Sequence, residues 1–199
     1  MLDYTTNPEK VIERSLLLTR NMYPDLPYER RSTEDRIRDV WKRKHFGCFE
    51  KAWATILAKN LSRSCTHQLV RHRLFSFSQV SMRRVEPNNL DSIVPPSIAE
   101  NERAKELFDY SFDRCRTTYE LIRELGIPQE DARFIIPMGI ETQIEVTGNF
   151  RNWLHLLNMR TNPAAQWEIR DLAWECHKLL QSIAPNVFSD EYKEVWAYV

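Results

Sequence analysis

A helix-rich α+β fold with few strands is what this 199-residue sequence predicts. Three observations carry that expectation. Only four glycines stand beside ten prolines and six tryptophans, which suits a compact chain of helices with short connections. Between Ile98 and Leu125, the residues Leu107, Phe108, Phe112, Cys115, Tyr119, Ile122 and Leu125 recur at three and four residues, the period of a helix face. Thr142, Ile144 and Val146 alternate with polar neighbours instead, as a short strand does.

Taken in order, Thr5-Thr6-Asn7-Pro8-Glu9 reads as a helix start, with a capping side chain, a proline in the first turn and an early glutamate. That helix should run through Val11, Leu16 and Leu17 to about Met22, before Pro24 and Pro27 end it. Ser32 caps a second helix through Ile37, Val40 and Trp41. Phe49 to Leu57 suits a helix or a strand. Cys65, Leu69 and His72 then share a helical spacing that begins at Ser62, after which Phe75, Phe77, Gln79 and Ser81 alternate as an extended segment would. Pro87–Leu90 and Pro95-Pro96 bound a loop before the long helix of Ile98 to Leu125, which Gly126 and Pro128 stop. Its apolar stripe is expected to be core or a subunit interface. A short connection over 131–137 leads to the strand, Asn149 caps a helix ending at Arg160, and Asn162-Pro163 should open the last helix through Trp167, Ile169, Leu172, Leu179 and Ile183.

The length suits one domain over 1–199. Lys+Arg and Asp+Glu both number 28, and that zero net charge argues against a general nucleic-acid coat. Met1-Leu2-Asp3-Tyr4 has no charged or apolar leader character, so no secretory signal is expected, and no apolar run approaches a membrane span. Cys48, Cys65, Cys115 and Cys176 are scattered without a C-x-x-C pair, so neither a metal site nor a disulfide framework is expected. They read as small buried hydrophobes of a reducing, cytoplasmic compartment.

Function concentrates in Arg71-His72-Arg73-Leu74-Phe75-Ser76-Phe77-Ser78-Gln79-Val80-Ser81-Met82-Arg83-Arg84. No Asp or Glu stands between Glu50 and Glu86, while Lys51, Lys59 and Arg63 add charge. Guanidinium forks suit phosphate oxygens and planar heterocycles, and the interleaved apolar residues argue for partial burial rather than a solvated basic face. An anion site is the reading. A second group lies at Asn149-Phe150-Arg151-Asn152-Trp153-Leu154-His155, where Arg151 and His155 share a helix face. Arg160 follows, just before a helix expected to start near Pro163, whose positive end would favour a bound anion. Singly, each has a plain structural reading: Arg151 a surface residue, His155 a satisfied core histidine, Arg170 a partner of Glu168 or Glu175. Together they offer cations for phosphates, amides for a pyrimidine edge and aromatics for stacking.

These residues resemble the flavin-dependent thymidylate synthases, whose signature is Arg-His-Arg, seven residues, then Ser. Here it stands as Arg71-His72-Arg73 followed by Ser81, with Arg83 two further on. Asn7-Pro8-Glu9, Ser62-Arg63, Gln68, Ala132-Arg133, Asn149 with Arg151, Arg160 and Ala165-Gln166-Trp167-Glu168-Ile169-Arg170 extend the likeness in order over most of the chain. The resemblance implies a small antiparallel sheet packed with helices, in a homotetramer whose FAD sites are shared between subunits. It implies that dUMP is converted to dTMP, with 5,10-methylenetetrahydrofolate as carbon donor and NADPH as reductant, and that nucleic acid and membrane are not partners.

By the same resemblance, Arg71, His72, Arg73, Gln79, Asn149, Arg151 and His155 would contact FAD. Gln68, Arg71, Gln79, Ser81, Arg83, Arg133 and Arg160 would hold dUMP. Arg160 would sit at the pyrimidine edge and favour ionisation at N3, enriching C5. Ser81 joins it at the reacting centre as a substrate-positioning hydroxyl, because no neighbouring base would activate it as a nucleophile. The chain departs from many relatives at Ser78 and Gln79, where Asn and Glu are common, and at Arg84, where Tyr is common. Gly47 replaces a flavin-contacting Ser or Thr, and Ala164 a histidine. Two rivals remain at this stage: a binding module that grips single-stranded nucleic acid through the basic stretch with Phe75 and Phe77 stacking on bases, and a flavoprotein acting on another nucleotide. A cysteine-nucleophile thymidylate synthase is disfavoured, since no cysteine has a site-like setting.

Overall fold

Three helices expected to start at Ser32, Ser62 and Asn149 do so in the computed structural model, which describes residues 1–19, 31–87 and 90–199, and each of the three side chains makes the cap. Ser32 opens α2 (Thr33–Arg43) by accepting from Asp35 N at 3.1 Å, and the Asp35 carboxylate answers the Ser32 backbone as a capping box. Ser62 opens α3 (Arg63–Leu69) by accepting from Cys65 N at 3.0 Å. Asn149 opens α7 (Phe150–Arg160) by accepting from Asn152 N at 2.9 Å. Each cap satisfies a backbone donor that the first helical turn leaves without a partner.

Elsewhere the same signals lead to different geometry. Helix α1 spans Pro8–Leu18 with proline at its start, but Asn7 lies in the left-handed region at φ 50° and its side chain makes no cap bond. Glu9 works at longer range, accepting from Asn186 N at 2.7 Å and Asn186 Nδ2 at 2.8 Å. The expected end of α1 at Pro24 and Pro27 lies outside the described residues. Phe46–Lys51 is a 3-10 turn and Trp53–Ser62 is strand β2, so the ambiguous apolar run divides between both. The long helix begins later than expected. A short turn, α4 (Pro96–Ala99), comes first, and Asn101 then caps α5 (Glu102–Glu124) by accepting from Ala104 N at 3.0 Å. Gly126 ends it at φ 83°, a left-handed position that suits glycine. Helix α6 (Gln129–Ala132) and the 3-10 turn Arg133–Ile135 lead to β4 (Glu141–Asn149).

The last helix, α8, starts at Trp167 rather than near Pro163 and runs to Ile183. Gln166 caps it by accepting from Glu168 N at 3.0 Å and Ile169 N at 3.3 Å, while Asn162 closes the preceding turn by accepting from Ala164 N at 2.9 Å. Asn-Pro serves a turn as readily as a helix start, and here the turn won.

With β1 (Asp3–Tyr4) and β3 (Ser76–Gln79), the strands form one antiparallel sheet in the order β1-β2-β4-β3. Asp3 pairs with Thr55 and Tyr4 with Ala54. The α+β expectation holds. Met1–Leu57, His72–Phe77 and Glu145–Val199 make one compact unit, and Ala58–Arg71 with Ser78–Ile144 make another, so β2, β3 and β4 each change unit along their length.

The first unit is packed on aromatic residues. Trp41 stacks on Tyr192 with centroids 5.0 Å apart and meets Phe46 and Phe49, each at 5.3 Å. Trp153 lies fully inside and donates Nε1 to Ala54 O at 3.2 Å, joining α7 to β2. In the second unit, Met82, Phe112 and Ile140 form a smaller core with Leu90, Phe108 and Ile136 against it. Only part of the α5 stripe is core. Phe112 and Tyr119 are buried, with the Tyr119 hydroxyl donating to Glu86, while Leu107 and Leu125 are 51% and 81% exposed. Among the described residues no helix is long and apolar enough to cross a membrane.

Candidate active site

Helix α7 and residues 72–77 build one group of candidate side chains in the first unit. Asn152, one turn into the helix, donates Nδ2 to Leu74 O at 2.8 Å. Phe75 packs edge-on to Trp153 at 4.8 Å and buries itself against Gly148. A Cβ at Gly148 would stand 2.4 Å from the Phe75 ring, so this glycine is there for close approach. The clamp places buried His72 over the end of α7.

There Arg160 donates Nε to His72 Nε2 at 2.9 Å. A guanidinium only donates, so His72 Nε2 presents a lone pair and the ring is neutral, with its proton on Nδ1. Burial, and then the charges of Arg160 and His155, push the His72 imidazole down to about 4, in keeping with that assignment. His155 sits edge-on to His72 with centroids 6.0 Å apart and is itself exposed, which removes the core-histidine reading. Arg151 is a partly exposed cation whose NH1 meets Glu50 Oε1 at 2.7 Å. Arg73 is exposed.

Two expectations fail here. Arg160 does not abut a helix start, because 161–166 form a turn before α8; it lies instead in the last turn of α7, where a cation complements the negative end of the helix. Arg170 meets neither Glu168 nor Glu175. Its NH1 donates to Pro163 O at 2.9 Å and Ala165 O at 3.4 Å, because the turn leaves carbonyls uncovered within its reach.

The second unit gathers the other candidates, apart from those just described. Helix α3 delivers Gln68 on its last turn and Arg71 just beyond, with Arg71 N donating to Gln68 O at 3.3 Å. Gln79 Nε2 donates to Thr66 Oγ1 at 2.9 Å and Thr142 Oγ1 at 3.3 Å, so its amide nitrogen ties β3 to α3 and β4. Ser81 starts a tight turn in which its O accepts from Arg84 N and Val85 N, each at 3.0 Å, and its Oγ from Arg83 N at 3.3 Å. Arg83 stands out from that turn and meets Glu130 Oε2 at 2.6 Å. Arg133 donates Nε to Glu130 O at 3.1 Å, and half-buried Arg63 donates NH2 to Val80 O at 2.7 Å. Burial, then the charge of Arg133, holds Arg63 below its ordinary value.

His72, Arg73, Asn149, Arg151, His155 and Arg160 thus belong to the first unit, and Gln68, Arg71, Gln79, Ser81, Arg83 and Arg133 to the second. Within the basic stretch the arginines are exposed while His72, Phe75 and Met82 are buried. Sequence reasoning missed the carboxylates of Glu50 and Glu130, the Asn152 tie and the role of Gly148. Neither carboxylate carried a signal: Glu130 stands three residues before Arg133, yet its carboxylate meets Arg83 of a distant turn, and Glu50 lies 101 residues from its partner. Gly47 has open space where a Cβ would stand, so packing does not demand glycine there.

A family profile described as Thymidylate synthase complementing protein matches residues 1–186. A protein of Corynebacterium diphtheriae named flavin-dependent thymidylate synthase is 40% identical over 182 residues, covering 83% of this chain and 72% of its own. One of the same name from Mycolicibacterium gilvum is 39% identical over 169 residues, with 77% and 68% covered. Another, from Saccharolobus solfataricus, is 33% identical over 194 residues, with 94% and 74% covered.

Proposed function

The chain belongs to the flavin-dependent thymidylate synthase family, and on that premise we propose that it converts dUMP to dTMP, using FAD, NADPH and 5,10-methylenetetrahydrofolate. The observation that carries the reading beyond membership is the Arg160–His72 pair, an always-charged guanidinium aimed by a neutral, buried imidazole. Such a group can stabilise negative charge on a pyrimidine edge without itself titrating. The second reading, a nucleic-acid module, gains nothing from that pair, and Phe75 is buried on Trp153 rather than offered for stacking.

The residues present fit a flavin dinucleotide. Arg73 offers charge for a phosphate, Arg151 offers it once its exposed pair with Glu50 is given up, Asn149 an amide beside the α7 start, and His72 an ordered ring edge. When bound, the flavin supplies the hydride and one-carbon chemistry. His72, Arg73, Asn149, Arg151 and His155 would hold it, with Arg71 and Gln79. Arg133, Arg83, Gln68 and Arg71 would orient dUMP, Ser81 would position it by its hydroxyl, and Arg160 would favour the N3-ionised pyrimidine, making C5 the electron-rich carbon.

We take residues 1–199 as a single domain, since three strands run from one unit into the other. A homotetramer with shared FAD sites is supported by apolar residues that the second unit leaves exposed, Leu107, Leu121, Leu125 and Phe134, a composition subunit interfaces bury. A cytoplasmic setting is supported by four free cysteines. The test is chromatographic: dTMP should appear when dUMP, FAD, NADPH and methylenetetrahydrofolate are all supplied and vanish when any one is withheld. No dTMP under the full mixture overturns the proposal.

A further inference from the structure

Among the described residues of the second unit, Glu130 is the carboxylate set against an arginine read as a nucleotide ligand. Its Oε2 lies 2.6 Å from an Arg83 terminal nitrogen, with the two side chains 50% and 64% exposed, and its backbone carbonyl accepts from Arg133 at 3.1 Å. The Ser81–Val85 turn that presents Arg83 does not depend on that ion pair. It is closed by its own backbone bonds to Ser81 O, and Gln129 Nε2 holds it from α6 by donating to Val85 O at 3.0 Å. A neutral amide anchors the turn and the neighbouring carboxylate quenches its charge. An exposed pair of this kind contributes little to stability, so the carboxylate is easily released.

We propose that Glu130 is an internal stand-in for the nucleotide phosphate, holding Arg83 in the ligand-free protein and giving it up when the phosphate arrives. The inference rests on the dUMP reading of this site. A carboxylate offers a guanidinium one negative charge; a phosphate monoester offers more charge and a third oxygen, and so displaces it. A nucleoside without phosphate has nothing to exchange. Glu130 therefore lowers the affinity for the nucleotide while leaving that for the nucleoside untouched. Once displaced, its charge stays near the phosphate and opposes it, which keeps binding weaker than the arginines alone would make it.

The experiment is calorimetric titration of FAD-loaded protein with dUMP and with 2′-deoxyuridine, using wild type, Glu130→Gln and Asp131→Asn. Asp131→Asn removes the same charge one residue away and measures the general field. Glu130→Gln should bind dUMP about two- to five-fold more tightly, the range an exposed ion pair is worth. It should leave 2′-deoxyuridine unchanged and exceed the effect of Asp131→Asn; in turnover, KM for dUMP should fall with kcat held. Unchanged or weaker dUMP binding by Glu130→Gln, a gain matched by Asp131→Asn, or an equal gain for the nucleoside overturns the inference while leaving the thymidylate synthase reading intact. Wild-type protein that does not bind dUMP at all overturns both.

Discussion

Acidification should weaken the protein through His72 before it protonates the structural carboxylates. In the folded chain the imidazole is neutral, because burial and the neighbouring Arg160 and His155 push it down to about 4, against an ordinary value of 6.5. The unfolded chain therefore takes up the proton first, and stability is fully present above about pH 6.5 and lost as the pH falls toward 4. Working the linkage between those two values gives a loss of about 2 kcal/mol by pH 5 and about 3 kcal/mol by pH 4. Below that the folded ring protonates as well, and its bond from Arg160 becomes a contact between two donors. The assay is urea unfolding of flavin-free protein at a series of pH values, for wild type and His72→Gln, whose amide oxygen can still accept from Arg160 but does not titrate. Because His177 is also buried and held below its usual value, the difference between the two proteins is the quantity that counts. The variant should lack the His72 share of the loss. Parallel pH profiles would refute the neutral, buried assignment of His72.

Three further outcomes follow from the geometry. Gly148→Ala drives a Cβ into the Phe75 ring and should cost about 1–3 kcal/mol, the usual range for overpacking; Phe75→Leu in the same chain should recover part of it, read from a double-mutant cycle in urea. Ser62→Ala removes the cap that starts α3 and should cost about 1 kcal/mol of unfolding free energy, with Ser62→Asp restoring most of it. Arg160→Ala should fold and retain FAD by absorbance while turnover drops about 10²–10³-fold, the scale for losing one preorganised charge-stabilising donor; an active variant would remove Arg160 from its role.

What could be read in the sequence was local. Ser32, Ser62 and Asn149 announce helix starts because a short polar side chain next to an apolar period has one economical use, and all three caps are made. The α8 start escaped because Asn162-Pro163 is an equally good turn and Gln166 an unobtrusive cap. Periodicity in α5 revealed the helix but not its neighbours, so it marked Leu107 and Leu125 as it marked Phe112, although only Phe112 has the core of its unit against it. The candidate site behaves the same way. Its residue types were legible in the Arg71–Arg84 stretch and around α7. The Arg160–His72 bond joins residues 88 apart, and the Arg151–Glu50 pair residues 101 apart; such partners are chosen by the fold, not by spacing.

The most direct test of the account is the visible absorption spectrum of the purified protein with FAD, followed by reduction under anaerobic conditions and addition of substrates. Bound FAD should give an oxidised-flavin spectrum that bleaches with NADPH and returns when dUMP and methylenetetrahydrofolate are added together, with dTMP formed in step. A protein that stays colourless after FAD is supplied, or whose reduced flavin ignores dUMP, would contradict it.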